Sequence, residues 1–145
     1  MNYRFILGKG FEKRLEWGVT LHKSLTDVEC YTDFKNILSS DSFNNCECIS
    51  WIKVNGTFYK PKMVILVDEN DYKFATIQYI LKNNLCDIFF ICKQLKTLRF
   101  CTHIYAYEVT ETHFWSLIPQ SKLNAYKVYN IHVSAQGKSY IPVKP

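Results

Sequence analysis

The chemistry-bearing side chains of this chain are its cysteines and histidines, a carboxylate run at Asp68, Glu69 and Asp71, and a basic stretch holding Lys93, Lys96, Arg99 and His103. Zinc is the first chemistry to test. Structural zinc sites draw ligands from close pairs such as Cys-x₂₋₄-Cys. The near pairs here, Cys46-Glu47-Cys48 and Cys101-Thr102-His103, each enclose a single residue, so buried thiols are the simpler expectation and no metal or cofactor is assigned. Asp68, Glu69 and Asp71 follow an apolar run, where a metal-dependent nuclease would place carboxylates, but Asp and Asn are also what a tight turn selects. A turn is the reading adopted. No nucleophile elbow, phosphate-cradling glycine loop or His-Glu-x-x-His occurs, and no catalytic residue is assigned; a dispersed set such as Cys101 with His103 and an acid is the one arrangement that sequence leaves open.

Binding chemistry is better represented. Lys93, Lys96 and Arg99 stand with Phe100 and His103, and cations interleaved with stacking rings serve single-stranded nucleic-acid grooves. These four polar residues are the expected contact set for nucleic acid or an acidic protein surface, against the alternative of a solvated loop. The aromatics Trp51, Tyr59, Tyr72, Phe74, Tyr105, Tyr107 and Trp115 include enough rings for a methyl-lysine cage, although cross-strand and core packing is the commoner use of such rings.

Something must position these residues, and the stretch from Phe58 to Lys93 is the centre of the arrangement. It holds apolar runs rich in β-branched and aromatic residues, separated by Asp68-Glu69-Asn70-Asp71 and by Asn83-Asn84, which predicts an antiparallel meander. Asn55-Gly56 between Ile49–Val54 and Thr57–Lys60 supplies the two positive-φ positions of a type I′ hairpin turn. Pro61 suits a strand start or bulge. Leu85 to Lys93 is apolar on both faces, as a central strand would be, and Gln94 to His103 reads as a connector. Strands are expected again over Ile104–Val109 and Phe114–Ile118, then a helical turn at Ser121-Lys122-Leu123. Tyr126–Val133 and Ser139–Val143 form a terminal hairpin across Ala135-Gln136-Gly137.

Ahead of the meander, Tyr3–Leu7 alternates as a strand, Gly8-Lys9-Gly10 turns, and Leu15, Trp17, Val19 and Leu21 mark a second strand, with a helix over Phe11–Trp17 as the alternative. Thr26-Asp27-Val28-Glu29 fits a capping box, and Val28, Tyr31, Phe34, Ile37 and Leu38 recur at helical spacing. A helix of about three turns is therefore expected from Thr26 to Ser40, with a strand from Cys30 to Leu38 as the competing reading. Ser39 to Asn45 is loop by composition.

The expected fold is mainly β: a small barrel or curled antiparallel sheet with a meander, a terminal hairpin and one short helix. It forms a single domain over 1–145, in which segment 1–45 packs on a β core at 49–143. The 145 residues suffice for one buried core, and a 48% hydrophobic and 16% aromatic composition excludes a disordered chain. Lys and Arg number 18 against 13 Asp and Glu, a net charge of +5 that tolerates phosphate or an acidic partner. No apolar run reaches the length of a signal peptide or membrane span, so no membrane partner is expected. Cysteine spacing follows no disulfide framework, which suits reduced thiols and an intracellular, preferentially nuclear, setting.

From Trp51 to Val143 the chain resembles the C-terminal region of uncharacterised metazoan proteins associated with mobile elements, some with zinc fingers upstream. The resemblance is carried by WIKVNGTFYKPKMVILVDENDYKFATIQYIL, a strand, then LKTLRFCTHIYAYEV, with Gly56, Tyr59, Lys96, Thr97, Phe100, His103, Tyr107 and Val109 the most recognisable positions. It implies a non-catalytic accessory domain beside nucleic-acid-associated modules; no finger motif is present in this chain. At fold level, the Lys-Pro-Lys entry and the Phe74–Leu81 strand resemble Tudor-like and bromo-adjacent-homology barrels, which implies a chromatin contact. The expected function is a non-enzymatic nucleic-acid- or chromatin-associated binding module, the alternatives being a protein-interaction or structural domain and a remnant of a transposase- or nuclease-associated domain.

Overall fold

A computed structural model of the chain describes residues 14–38, 43, 45–68, 70–123 and 128–143 and the backbone of 3–7 and 13. The protein is mainly β, with a curled antiparallel half-barrel and one short helix. Strands β1 (Tyr3–Leu7), β2 (Lys13–Trp17), β5 (Ile52–Val54) and β6 (Thr57–Tyr59) form one sheet in the order β1-β2-β5-β6. The larger sheet runs β11 (Val128–Tyr129), β7 (Val64–Asp68), β8 (Lys73–Lys82), β9 (Ile88–Cys101), β10 (Ala106–Pro119), β13 (Ser139–Pro142) and β12 (His132–Val133). Strands β3 (Thr20–His22) and β4 (Glu47–Ile49) extend it, with β4 pairing along the C-terminal part of β8.

The two sheets share a corner. Gly18 N donates to Trp51 O at 3.1 Å and Ser50 N to Val19 O at 2.9 Å, so the chain leaves β2 and β5 for β3 and β4 at the same level. A Cβ on Gly18 would lie 2.3 Å from Trp51 Nε1 and 2.4 Å from Ser50 Oγ, which is why a residue without one stands there. Pairing of β2 with β5 joins the first strands and the Asn55-Gly56 hairpin in one sheet. In that hairpin Asn55 and Gly56 have φ of 48° and 90°, as the I′ turn requires.

The meander is present as β7-β8-β9, and β9 is central, paired with β8 on one side and β10 on the other. It begins three residues later than the apolar run suggests. Asn83 Oδ1 accepts from Leu85 N at 3.0 Å and Asp87 N at 2.9 Å, and Cys86 takes φ 61°, so the Asn83 side chain lengthens the turn and leaves Leu85 exposed. The expected connector from Gln94 is corrected: β9 continues to Cys101, and the turn follows at Thr102–Tyr105. Its charged residues alternate with Leu95, Thr97 and Cys101, a pattern that fits a half-exposed strand as well as a loop. The expected strands at Ile104–Val109 and Phe114–Ile118 are one strand, β10, bulged between Glu111 and Trp115. Of the expected terminal hairpin, His132–Val133 pairs with β13 as β12, whereas Val128–Tyr129, expected in the same strand, is the separate β11 and pairs with β7; the 3-10 turn spans Gln120–Lys122, one residue ahead of the expected Ser121–Leu123.

The helix expected over Thr26–Ser40 is broken into a 3-10 turn at Leu25–Asp27, a single α-turn α1 (Tyr31–Phe34) and another 3-10 turn at Lys35–Ile37. The cap is Ser24, whose Oγ accepts from Thr26 N at 3.4 Å, not Thr26. Val28 is extended at ψ 145°, ending the first turn. With Thr, Val, Asn and Asp in so short a segment helical propensity is weak, and burial of Leu25, Val28 and Phe34 on the sheet decides the path. Gly8-Lys9-Gly10 and most of Ser39–Asn45 lie outside the described residues.

Among the described residues the apolar side chains gather in three cores. The first, with Ile52, Tyr59, Ile65, Ile77, Ile80 and Phe90, joins the two sheets, Tyr59 packing on Phe90 at 5.0 Å between ring centroids. The second seats Phe34 against Tyr79 and Trp115. The third holds Val64, Leu66, Phe74, Leu95, Val109 and Ile141.

Candidate functional site

Register shifts along the central strands create the molecule's open surface. The five residues of β10 from Glu111 to Trp115 lie opposite only three of β9, from Leu95 to Lys93. Thr112 pins this bulge, donating its Oγ1 to Gln94 O at 2.6 Å and accepting from Phe114 N at 3.2 Å, and Phe114 is left 69% exposed. A second shift, between Leu66 and Asp68 of β7, frees Val67 from the ladder and leaves it exposed. Between these bulges lies a groove of about 530 Å³. Its floor is Phe74, Leu95 and Ile118, drawn from the first and third cores, and its walls include Lys73 and Lys96 with the carboxylate of Asp71, and Thr97, Phe114 and Ser116.

The basic residues singled out from sequence fall in different settings. Lys96 is exposed and lines the groove. Lys93 lies over the Trp115 ring, 5.0 Å from its centroid. Arg99 donates its Nε to Glu108 Oε1 at 2.8 Å, a bond and a charge that hold the guanidinium above its ordinary pKa. His103 is exposed on the β9–β10 turn. Lys93 and Arg99 are six residues apart, about 20 Å along a strand. Of the four, the structure brings only Lys96 into the groove. Lys73 joins it there, with Asp71 Oδ2 at 4.0 Å from its Nζ. Lys73 was not singled out by sequence because it lies beyond the basic run; the signal is its position at the start of β8, beside a turn.

Four of the aromatics considered for a cage do converge. Tyr72 stacks on Tyr107 at 4.9 Å, and Tyr107 meets Phe74 at 5.7 Å and Phe100 at 4.8 Å, with Tyr105 packed on Phe100 at 5.1 Å. These rings touch one another, which leaves no space for a cation between neighbours, so they form a contiguous aromatic cluster and no cage between them. Burial and the neighbouring Tyr72 phenol raise the Tyr107 pKa. The cluster borders the groove, since Thr97, a groove residue, donates its Oγ1 to Tyr72 O at 3.0 Å. Trp51, Tyr59 and Trp115 lie elsewhere, packed on Phe58, Phe90 and Phe34.

Cys46 and Cys48 are buried in the second core, and burial pushes the Cys48 thiol up to about 12 and raises Cys46 as well. A zinc ligand must be a thiolate, and this environment favours the protonated thiol. Among the described residues no group of three or more His, Cys, Asp and Glu is placed to hold a metal ion. Asp68 Oδ1 accepts from Asn70 N at 2.9 Å, the turn role expected of it; Glu69 lies outside the described residues. Among the described residues no helix is long and apolar enough to cross a membrane. No family model, curated protein or solved structure is similar to this chain.

Proposed function

We propose that the protein is a non-enzymatic binding module that holds single-stranded nucleic acid along the groove between β7, β8, β9 and β10. The observation that carries this reading is the juxtaposition, in one groove, of Lys73 and Lys96 with the exposed Phe114 ring and an apolar floor. Cations that track phosphates beside a ring on which a base stacks are the elements from which sequence-tolerant single-strand sites are made. The Tyr72–Tyr107 stack next to the groove offers a further platform. Net charge of +5 favours a polyanionic partner, and six free thiols suit a reducing compartment such as the nucleus.

The test is fluorescence anisotropy with a labelled single-stranded oligonucleotide. Affinity should fall about tenfold between about 50 and about 200 mM salt, as expected when a few phosphates are neutralised. Lys73→Glu with Lys96→Glu should abolish binding while circular dichroism is unchanged. Binding that ignores both salt and these reversals rules out the phosphate-contact account. A protein partner is the second reading, favoured by the exposed apolar side chain of Leu98, which a further bulge in β9 sets outside the ladder. In that case Leu98→Asp would release the partner and the lysine reversals would not.

A further inference from the structure

Resting on the reading above, we infer that the groove is a subsite for one nucleotide, with the base laid between Phe114 and the Phe74, Leu95 and Ile118 floor and the phosphate on Lys73 and Lys96. A volume of about 530 Å³ falls within the range of small-molecule sites, which combine an apolar lining with a few convergent polar groups. An extended backbone contact alone would need a shallow charged track, whereas this groove has a floor drawn from two cores and a ring at its wall.

The polar groups divide into committed and uncommitted ones. Thr97 and Thr112 donate their hydroxyls to Tyr72 O and Gln94 O, so they hold the groove's shape. Ser116 is different: its Oγ is buried with no hydrogen-bond partner. A buried hydroxyl without a partner is unfavourable, and a ligand edge carrying donors and acceptors relieves it once the serine rotates. Gln94, exposed in the lining, adds further hydrogen bonding, while the ammonium groups of Lys73 and Lys96 supply positive charge that the Asp71 carboxylate beside Lys73 offsets in part. The ligand so described has a flat body, a polar edge and an anionic group. A nucleotide has all three; a fatty acid has no polar edge for Ser116, and inorganic phosphate no body for the floor.

Two sources share this chemistry, a free mononucleotide and a nucleotide within a strand. Titration calorimetry with thymidine monophosphate, adenosine monophosphate and ribose 5-phosphate, beside anisotropy with an oligonucleotide, separates them. The subsite predicts that a mononucleotide binds saturably and ribose 5-phosphate about tenfold more weakly, the difference being the stacked base. Phe114→Ala should weaken mononucleotide and oligonucleotide alike by about tenfold, Phe114→Tyr should retain both, and Ser116→Ala should reduce discrimination between the two bases. Because Phe114 is 69% exposed, its replacement leaves the fold intact, which circular dichroism checks. Mononucleotide binding without oligonucleotide binding supports the subsite and overturns the strand-binding reading. Undiminished oligonucleotide binding by Phe114→Ala, with no mononucleotide binding, overturns the subsite and leaves that reading standing. Failure of both ligands at low salt overturns both.

Discussion

Arg99 Nε and Glu108 Oε1 lie 2.8 Å apart across the β9–β10 ladder, in register as direct Cα partners, so the one arginine in the basic run is committed within the fold. The Glu108 side chain retains only 11% of its accessibility and the guanidinium covers it from the solvent side. A cation so engaged contributes less to binding a phosphate than one left in solvent. Arg99→Ala is therefore expected to change oligonucleotide affinity less than about threefold, against about tenfold for Lys96→Glu. Glu108→Gln should raise affinity by releasing the guanidinium. Anisotropy titrations of the three variants at one salt concentration decide it, and equal losses for Arg99→Ala and Lys96→Glu would show Arg99 to be part of the site.

The corner at Gly18 predicts a steric effect on stability. Gly18→Ala places a methyl carbon within 2.5 Å of the Trp51 ring and the Ser50 hydroxyl, so strand or indole must move. Urea denaturation should show a loss of about 1–3 kcal/mol, the usual consequence of overpacking. At Gly56 nothing lies within 4 Å of the same added carbon, and there Ala meets only the positive φ of the turn, about 1–2 kcal/mol. Trp51 emission should shift in the first variant and not in the second.

Phe34 anchors the broken helix. Its ring is fully buried and contacts Tyr79 at 5.6 Å and Trp115 at 5.3 Å, while Tyr31 meets it edge-on at 5.8 Å. Phe34→Ala should cost about 3–5 kcal/mol in denaturant unfolding. Phe34→Leu should recover much of that. A loss below 1 kcal/mol would mean that the segment does not dock on the sheet.

Cys48 makes stability fall at alkaline pH. Burial, with Cys46 as a smaller cause, raises its thiol from 9.0 to about 12, so the folded state keeps a proton that the unfolded chain gives up. The sign follows directly: this contribution is complete below pH 9 and is lost as pH rises toward 12. Over that window it declines by about 1 kcal/mol per pH unit. Urea midpoints of the native protein should accordingly drop more between pH 9 and pH 10.5 than those of Cys48→Ala, and thiol-specific alkylation of Cys48 at pH 8 should require unfolding.

Local chemistry alone determined a good deal. Asn55-Gly56 dictated a hairpin because its positive-φ demand is met within the dipeptide itself. The runs around Met63–Val67, Phe74–Leu81 and Leu85–Lys93 specified an antiparallel meander, since β-branched and aromatic residues between turn residues have few other ways to bury themselves. The closing part of the terminal hairpin and the turn role of Asp68 were legible for the same reason, whereas Val128–Tyr129, expected in that hairpin, pairs with β7. Tertiary structure decided what depends on partners distant in sequence. The segment from Leu25 to Ile37 has a helical period, yet the sheet beneath it selects which side chains are buried and breaks the helix accordingly. Basic residues from Lys93 to Arg99 look alike in sequence, and only the ladder assigns Lys93 to Trp115, Arg99 to Glu108 and Lys96 to the groove. The groove itself arises from register shifts between strands, and register is a relation between segments that neither segment encodes alone.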